Sequence, residues 1–220
     1  MCIDDWADCA HPSVTPAGLK RREDILCAAT RLFAHRGYQG TRVSDIAAAS
    51  DVNKATLYHY YLSKASLLYD IFRLAASATM AAVELDPTVR PVQAIHECTV
   101  NLLRMVARDP HGMAVYTKES PFIAEWLSAK QVESIRFAET TVYRRIADIM
   151  DRGVADGSFR PCDSHILALG YLGMTIGSHR WLTPIDIDSA DRIADEIAST
   201  FIRGLTRRLA DDAASQVRNV

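Results

Sequence analysis

No uninterrupted apolar stretch of about 18 residues occurs in the chain, so no transmembrane helix is expected. The first residues, MCIDDWADCAHPSV, are acidic and hold no apolar run, so neither a signal nor a transit peptide is expected there. Cysteine is sparse: Cys2, Cys9, Cys27, Cys98 and Cys162 are scattered, odd in number and free of any CxxC pair. That argues against a disulfide framework or a zinc site and favours a reducing cytoplasm. Enzyme signatures are missing as well. There is no HExxH, no Gly-rich phosphate loop and no GxSxG. His35, His59, His96, His111, His165 and His179 lie far apart in sequence. The chain is therefore read as a non-enzyme with no metal and no resident cofactor. Internal repeats, low-complexity segments and strand-type alternation are also wanting.

Nor does one sign of charge dominate, since the formal net charge is only −2. Its distribution is uneven. Between Lys20 and Met80 there are nine Lys/Arg against five Asp/Glu, a net +4 that leaves −6 on the rest. A basic N-terminal third points to an anionic partner for that part alone.

What is present is helical periodicity. Ile25, Ala28, Ala29, Leu32 and Phe33 form the inward stripe of a helix over 16–36, with Gly37 as its stop. Thr41 reads as the N-cap of a short second helix whose inner face is Val43, Ile46, Ala47 and Ser50. Asn53 can cap a third over 54–61, and Ser63 a fourth over 64–85, stopped by Pro87. Five more helices are expected at 91–108, 113–118, 121–156, 163–182 and 189–209. The fold class is all-α with about nine helices.

The run NKATLYHYYLSKASLL packs Tyr58, His59, Tyr60 and Tyr61 together between Lys54 and Lys64. Two short helices joined by a tight turn make a helix-turn-helix, here about 43–62, which presents its second helix to a DNA major groove. Leu57 and Tyr61, four apart, share the inner face. Tyr58, His59 and Tyr60 can then point outward, where phenol and imidazole lie along sugars and donate to phosphates. Lys54, Thr56 and His59 are the candidates for base edges. Lys64, at a helix N-terminus, suits a phosphate.

These residues resemble the N-terminal domain of TetR-family transcriptional regulators. The resemblance is carried by AATRLFAHRGY, then T…V.DIA, then LYHYYLSK..LL, over about 21–72. It implies a DNA-binding unit over 17–66, with Thr41, Arg42, Lys54, Ala55, Thr56, Tyr58, His59, Tyr60 and Lys64 on double-stranded DNA. Two positions depart from the family pattern. Asp51 stands where the turn usually has Gly, but Asp tolerates the left-handed conformation. Ala55 stands where Gly is frequent, and its methyl faces the DNA.

The resemblance further implies a helical effector-binding and dimerisation domain over 67–210, an arm at 1–16 without order, and a tail at 211–220. Family members dimerise through their last two helices. A two-fold dimer places its recognition helices about 34 Å apart, on a palindromic operator. Gly170, Gly173 and Gly177 fit close helix approach or room for a ligand. AVYTKES, SHRWLTP and DGSFRPCD are similar to segments of TetR-type regulators of lipid and steroid breakdown, which respond to acyl-CoA thioesters. The implied effector is small and hydrophobic. Met105, Tyr116, Phe137, Tyr143, Met174 and Trp181 are candidates for its pocket, with Arg180 as a cation at the mouth. A repressor of the bacterial cytoplasm, associated with the nucleoid and not with membranes, is the resulting expectation. The alternatives are the same regulator with a drug-like effector, a redox sensor using Cys98 or Cys162, and a helical enzyme.

Overall fold

The computed structural model describes residues 15–182 and 187–206. The expected tail at 211–220, most of the expected arm, and Cys2, Cys9 and Leu209 lie outside the described residues. At the arm's inner edge, Thr15 and Pro16 already belong to the first helix, α1 (Pro16–Arg36). The Thr15 side chain accepts from the Gly18 N–H, and Pro16 fills the first position, where no N–H is needed. Gly37, at φ 78°, stops the helix in a conformation that a side chain would strain.

The next helix, α2 (Val43–Ala49), begins without any side-chain cap. Thr41, expected in that role, is instead 1% exposed, and its hydroxyl donates to Gly37 O at 2.8 Å. A side chain turned back onto the preceding loop cannot cap the following helix. Asp51 takes the left-handed turn position, φ 52°. Then come α3 (Lys54–Tyr60), capped by Asn53, and α4 (Lys64–Ala82), which opens on a Ser63–Ser66 capping box. The fourth helix, expected to reach residue 85, ends earlier because the chain turns to bury Val83.

Beyond these lie α5 (Pro91–Arg108), α6 (Pro110–Glu119), a 3-10 turn (Ser120–Phe122), α7 (Ile123–Trp126), α8 (Ala129–Ala155), α9 (Ser164–Ile176) with a 3-10 extension (Gly177–Arg180), and α10 (Ile187–Thr206). The nine expected helices are found, and no strand occurs among the described residues. The seventh, expected unbroken over 121–156, is cut at Leu127, whose backbone is extended and whose side chain is buried. Ser128 and Gln131 then start α8 with a second capping box, which satisfies the amides a new helix leaves open.

Among the described residues, three apolar cores hold the helices. The first joins Ile25, Phe33, Ile46, Leu57, Leu67 and Phe72 of α1–α4 to Val115 of α6, Ile123 of α7 and Ile135 of α8. The N-terminal helices thus share this core with α6, α7 and α8. The other two cores lie among α4, α5, α6, α8, α9 and α10. No helix among the described residues is long and apolar enough to cross a membrane.

Candidate nucleic-acid interface and effector pocket

The short α3 is two-faced by helical geometry. Leu57 is fully buried, and Tyr61 directly after the helix is 2% exposed. On the other side Lys54, Ala55, Tyr58 and His59 are exposed, with Thr56 and Tyr60 half-buried. The Asn53 carboxamide accepts from the Thr56 N–H at 2.8 Å, which fixes the first turn. The His59 and Tyr60 rings meet edge to face at 5.2 Å. Arg42, exposed just before α2, adds a cation. The exposed side chains of α3, with that of Arg42, thus include two cations, an imidazole and the Tyr58 phenol, the types that phosphate and sugar contacts use.

Two candidates sit differently. Thr41 is buried, and its hydroxyl binds Gly37 O and Leu32 O, so it is removed from the surface. Its part in any contact is structural. Lys64 is half-buried. Its ammonium donates to Tyr38 O at 2.8 Å and to Thr41 O at 3.1 Å, and lies 4.2 Å from the Tyr38 ring centroid. Burial holds its pKa below the usual lysine value, opposed by the charge of Glu119. An ammonium has three donors, and these two carbonyls take two of them.

A cavity of about 350 Å³ opens between α4, α6, α8 and α9. Small residues of α4, Ala76 and Thr79, make the space. Val142, Leu169, Leu172 and Ile176 give it apolar walls. Of the expected lining, Tyr116 and Tyr143 are present. The Tyr116 hydroxyl donates to Glu139 Oε1 at 2.7 Å, and Arg136 holds Glu139 Oε2 at 2.7 Å. Burial, then the neighbouring Glu139 charge, pushes the Tyr116 phenol far up. Tyr143 pairs its hydroxyl with His165 Nδ1 at 2.6 Å.

The remaining candidates do not line this cavity. Phe137 is 70% exposed. It sits one residue, about 100° of helix, away from the lining Ala138. Met174 faces a second concavity, between α9 and α10 beside Phe201 and Leu205. Met105 packs half-buried among the cores. Arg180 and Trp181 end the 3-10 extension and are exposed, because the helix stops at Ile176 instead of carrying them inward. Among the residues missed from sequence are Ala76, Thr79, Ala138 and Glu139. Their signal is small size, or one charge on an inward face, which a search for large apolar side chains passes over.

Along α9 an outward stripe is left bare: Ile166 67% exposed, Leu169 63%, Met174 38%, with Gly170 and Gly173 between. The 3–4 spacing puts them on one face. Cys98 is fully buried, and burial pushes its thiol up to about 12, the charge of Glu97 adding to the effect. Cys162 is half-buried and its thiol is also raised by burial. Both are the opposite of a reactive thiolate.

Two family signatures match. "Bacterial regulatory proteins, tetR family" covers residues 25–71, and "Tetracyclin repressor-like, C-terminal domain" covers 88–205. The HTH-type transcriptional repressor KstR2 of Mycolicibacterium smegmatis is 24% identical over 206 residues, spanning 92% of this chain and 99% of that protein. The TetR-family regulator PfmR of Thermus thermophilus superposes with a TM-score of 0.72 at 27% identity, covering 89% of this chain and 99% of that one. AibR, solved with isovaleryl coenzyme A and operator DNA, has the same fold at a TM-score of 0.65 and 23% identity, covering 84% of this chain and 98% of its own. With the C-terminal signature alone spanning more than half of its length, the chain belongs to the TetR family of ligand-responsive, DNA-binding transcriptional regulators, and is not an enzyme.

Proposed function

We propose that the protein is a homodimeric repressor, held on a palindromic operator and released by a small hydrophobic effector of the acyl-CoA class. One observation carries the reading. The helix that makes room in the cavity with Ala76 and Thr79 is α4, and α4 begins at Lys64, directly beside the recognition helix. Arg42, Lys54, Ala55, Thr56, Tyr58, His59 and Tyr60 contact the duplex, and Lys64 gives its remaining donor to a phosphate. The unit that does this spans about 17–66, and 67–210 serve the effector and the dimer. The bare stripe of α9, beside α10, is the dimer face. Effector in the cavity tilts α4 and changes the spacing of the two recognition helices. It can do so only by binding one spacing better than the other. The site of action is the bacterial cytoplasm, on the nucleoid.

The acyl-CoA class is supported by the apolar walls and by AibR, a fold relative solved with isovaleryl coenzyme A. A cavity of about 350 Å³ suits a short acyl chain, with the nucleotide part left at the mouth. A second reading has its own observation: Glu139, Tyr116 and Tyr143 would also suit a lipophilic cation. Arg136 on Glu139 offsets that charge, and the acyl reading is preferred.

The test starts from a duplex selected out of a random pool by the full-length protein. Its fluorescence anisotropy is followed while isovaleryl-CoA, longer acyl-CoAs or tetraphenylphosphonium, a lipophilic cation that does not intercalate, are added. Release by a thioester, and not by tetraphenylphosphonium, is the expected result. Release by tetraphenylphosphonium alone would support the second reading, and failure to enrich any duplex would refute the DNA-binding assignment.

A further inference from the structure

The α6 helix reaches both the pocket and the recognition unit. Its Tyr116 lines the cavity, with its hydroxyl on Glu139. One turn further along, Glu119 is 6% exposed, and its Oε1 accepts from the backbone N–H of Tyr38 at 2.9 Å, across 81 residues of sequence. The carbonyl of the same Tyr38 accepts from Lys64 Nζ, which also holds Thr41 O. The connector from Gly37 to Thr41, between α1 and α2, is therefore gripped at one residue from two directions. A carboxylate comes from α6 and an ammonium from α4. Arg42 and Val43 follow this connector at once and open α2.

A carboxylate is costly to bury unless its hydrogen bonds are made. Glu119 makes one to a backbone amide of a connector, where a change of position alters the path of the chain. Lys118, beside it, also lies close to Gly37.

We infer that Glu119 is a positioning residue that couples the effector cavity to the recognition helices. It fixes the 37–41 connector, and with it α2 and α3. Any shift of α6 caused by filling the cavity at Tyr116 then reaches the DNA-binding surface through the Tyr38 amide, in parallel with the tilt of α4. The inference rests on the proposed reading of the cavity as the effector site.

Filling the cavity by mutation replaces the unidentified effector. Ala138, which lines it, is changed to Phe, and affinity for the selected duplex is measured in the wild-type, Glu119→Gln and Glu119→Ala backgrounds. In the wild type, Ala138→Phe should weaken binding by about tenfold, within the usual range of coupling between sites. In Glu119→Ala the same change should weaken it less than about twofold. Glu119→Gln keeps an oxygen for the Tyr38 N–H and should retain most of the effect. An equal loss in the wild type and in Glu119→Ala overturns the inference while the cavity reading stands. No loss in the wild type overturns the cavity reading, and the inference with it. If Glu119→Ala does not fold, amide exchange of the segment holding Tyr38 decides with Glu119 in place. Exchange about tenfold faster in Ala138→Phe supports the coupling, and unchanged exchange overturns it.

Discussion

Arg22 of α1 donates to Asp70 of α4 at 2.8 Å, joining two helices across 48 residues of sequence. The Asp70 side chain is only 5% exposed, and the guanidinium lies 5.1 Å from the centroid of the Tyr61 ring. Tyr61 is the buried residue that seats the recognition helix. The pair thus braces the element the function depends on. Removing the Asp70 carboxylate takes its counter-charge from Arg22 at 2.8 Å and from Arg73 at 3.8 Å. Asp70→Ala should cost about 2–3 kcal/mol, read as a lower urea midpoint with an unchanged slope. An unmoved midpoint would show that the brace carries nothing.

Thr41 and Lys54 should separate fold from contact. Thr41→Val removes a buried hydroxyl from two carbonyls and should lower stability by about 1 kcal/mol. It should leave the salt dependence of duplex binding unchanged. Lys54→Gln should do the reverse, leaving stability alone and reducing the slope of log affinity against log salt by about one. Titrations at a series of KCl concentrations, beside thermal melts, measure both.

The element boundaries are legible where a residue acts locally. Pro16 and Gly37 bracket α1, and Asn53 and Ser63 cap the helices that follow them, because each effect needs only neighbours in sequence. The inward faces follow too, since Ile25, Ala29 and Phe33 of α1, and Leu67, Leu68, Ile71 and Phe72 of α4, repeat at helical spacing. The break at Leu127 escapes the pattern although Ser128 and Gln131 spell a capping box. The apolar periodicity runs on through it, and only the extended backbone of a buried Leu127 reveals the cut. Thr41 misleads for a related reason. A Thr before a helix reads as a cap, and nothing local says that its hydroxyl turns back to Gly37. The cavity is the least legible part. Its space comes from Ala76 and Thr79 facing α8 and α9, and from which neighbours are small across four helices. Sequence spacing does not encode that.

On the proposed reading, the α9 stripe is the face through which two copies meet. Ile166→Arg, on the stripe but not in the cavity wall, puts a charge on a face that two copies would have to bury, and a buried unpaired charge is prohibitive. The variant should sediment as a monomer at concentrations where the wild type is a dimer, and should lose affinity for a palindromic duplex. A wild-type sedimentation coefficient would move the interface elsewhere.

Cys98 gives the protein a dependence on alkaline pH. Its folded pKa, pushed up to about 12, lies above that of an unfolded thiol. The protonated form is the one the fold keeps. The stability tied to it is complete below about pH 8.5 and is lost as pH rises toward the folded value. Between about pH 8.5 and 10 this group should remove about 1–2 kcal/mol. The buried phenols of Tyr61, Tyr116 and Tyr171, also raised by burial, add to the loss at higher pH. Denaturation midpoints at pH 7.5 and 10 should fall further apart in the wild type than in Cys98→Ala. Equal differences would mean that the thiol ionises without cost.

The outer face of α3, with Arg42 before α2, is the surface proposed to meet DNA. Hydrogen exchange with and without the selected duplex reads that contact at the backbone. Segments covering 42–60 should become protected on binding while those covering 129–155 do not. Protection confined to the C-terminal helices, with 42–60 exchanging as in the free protein, would place the duplex elsewhere.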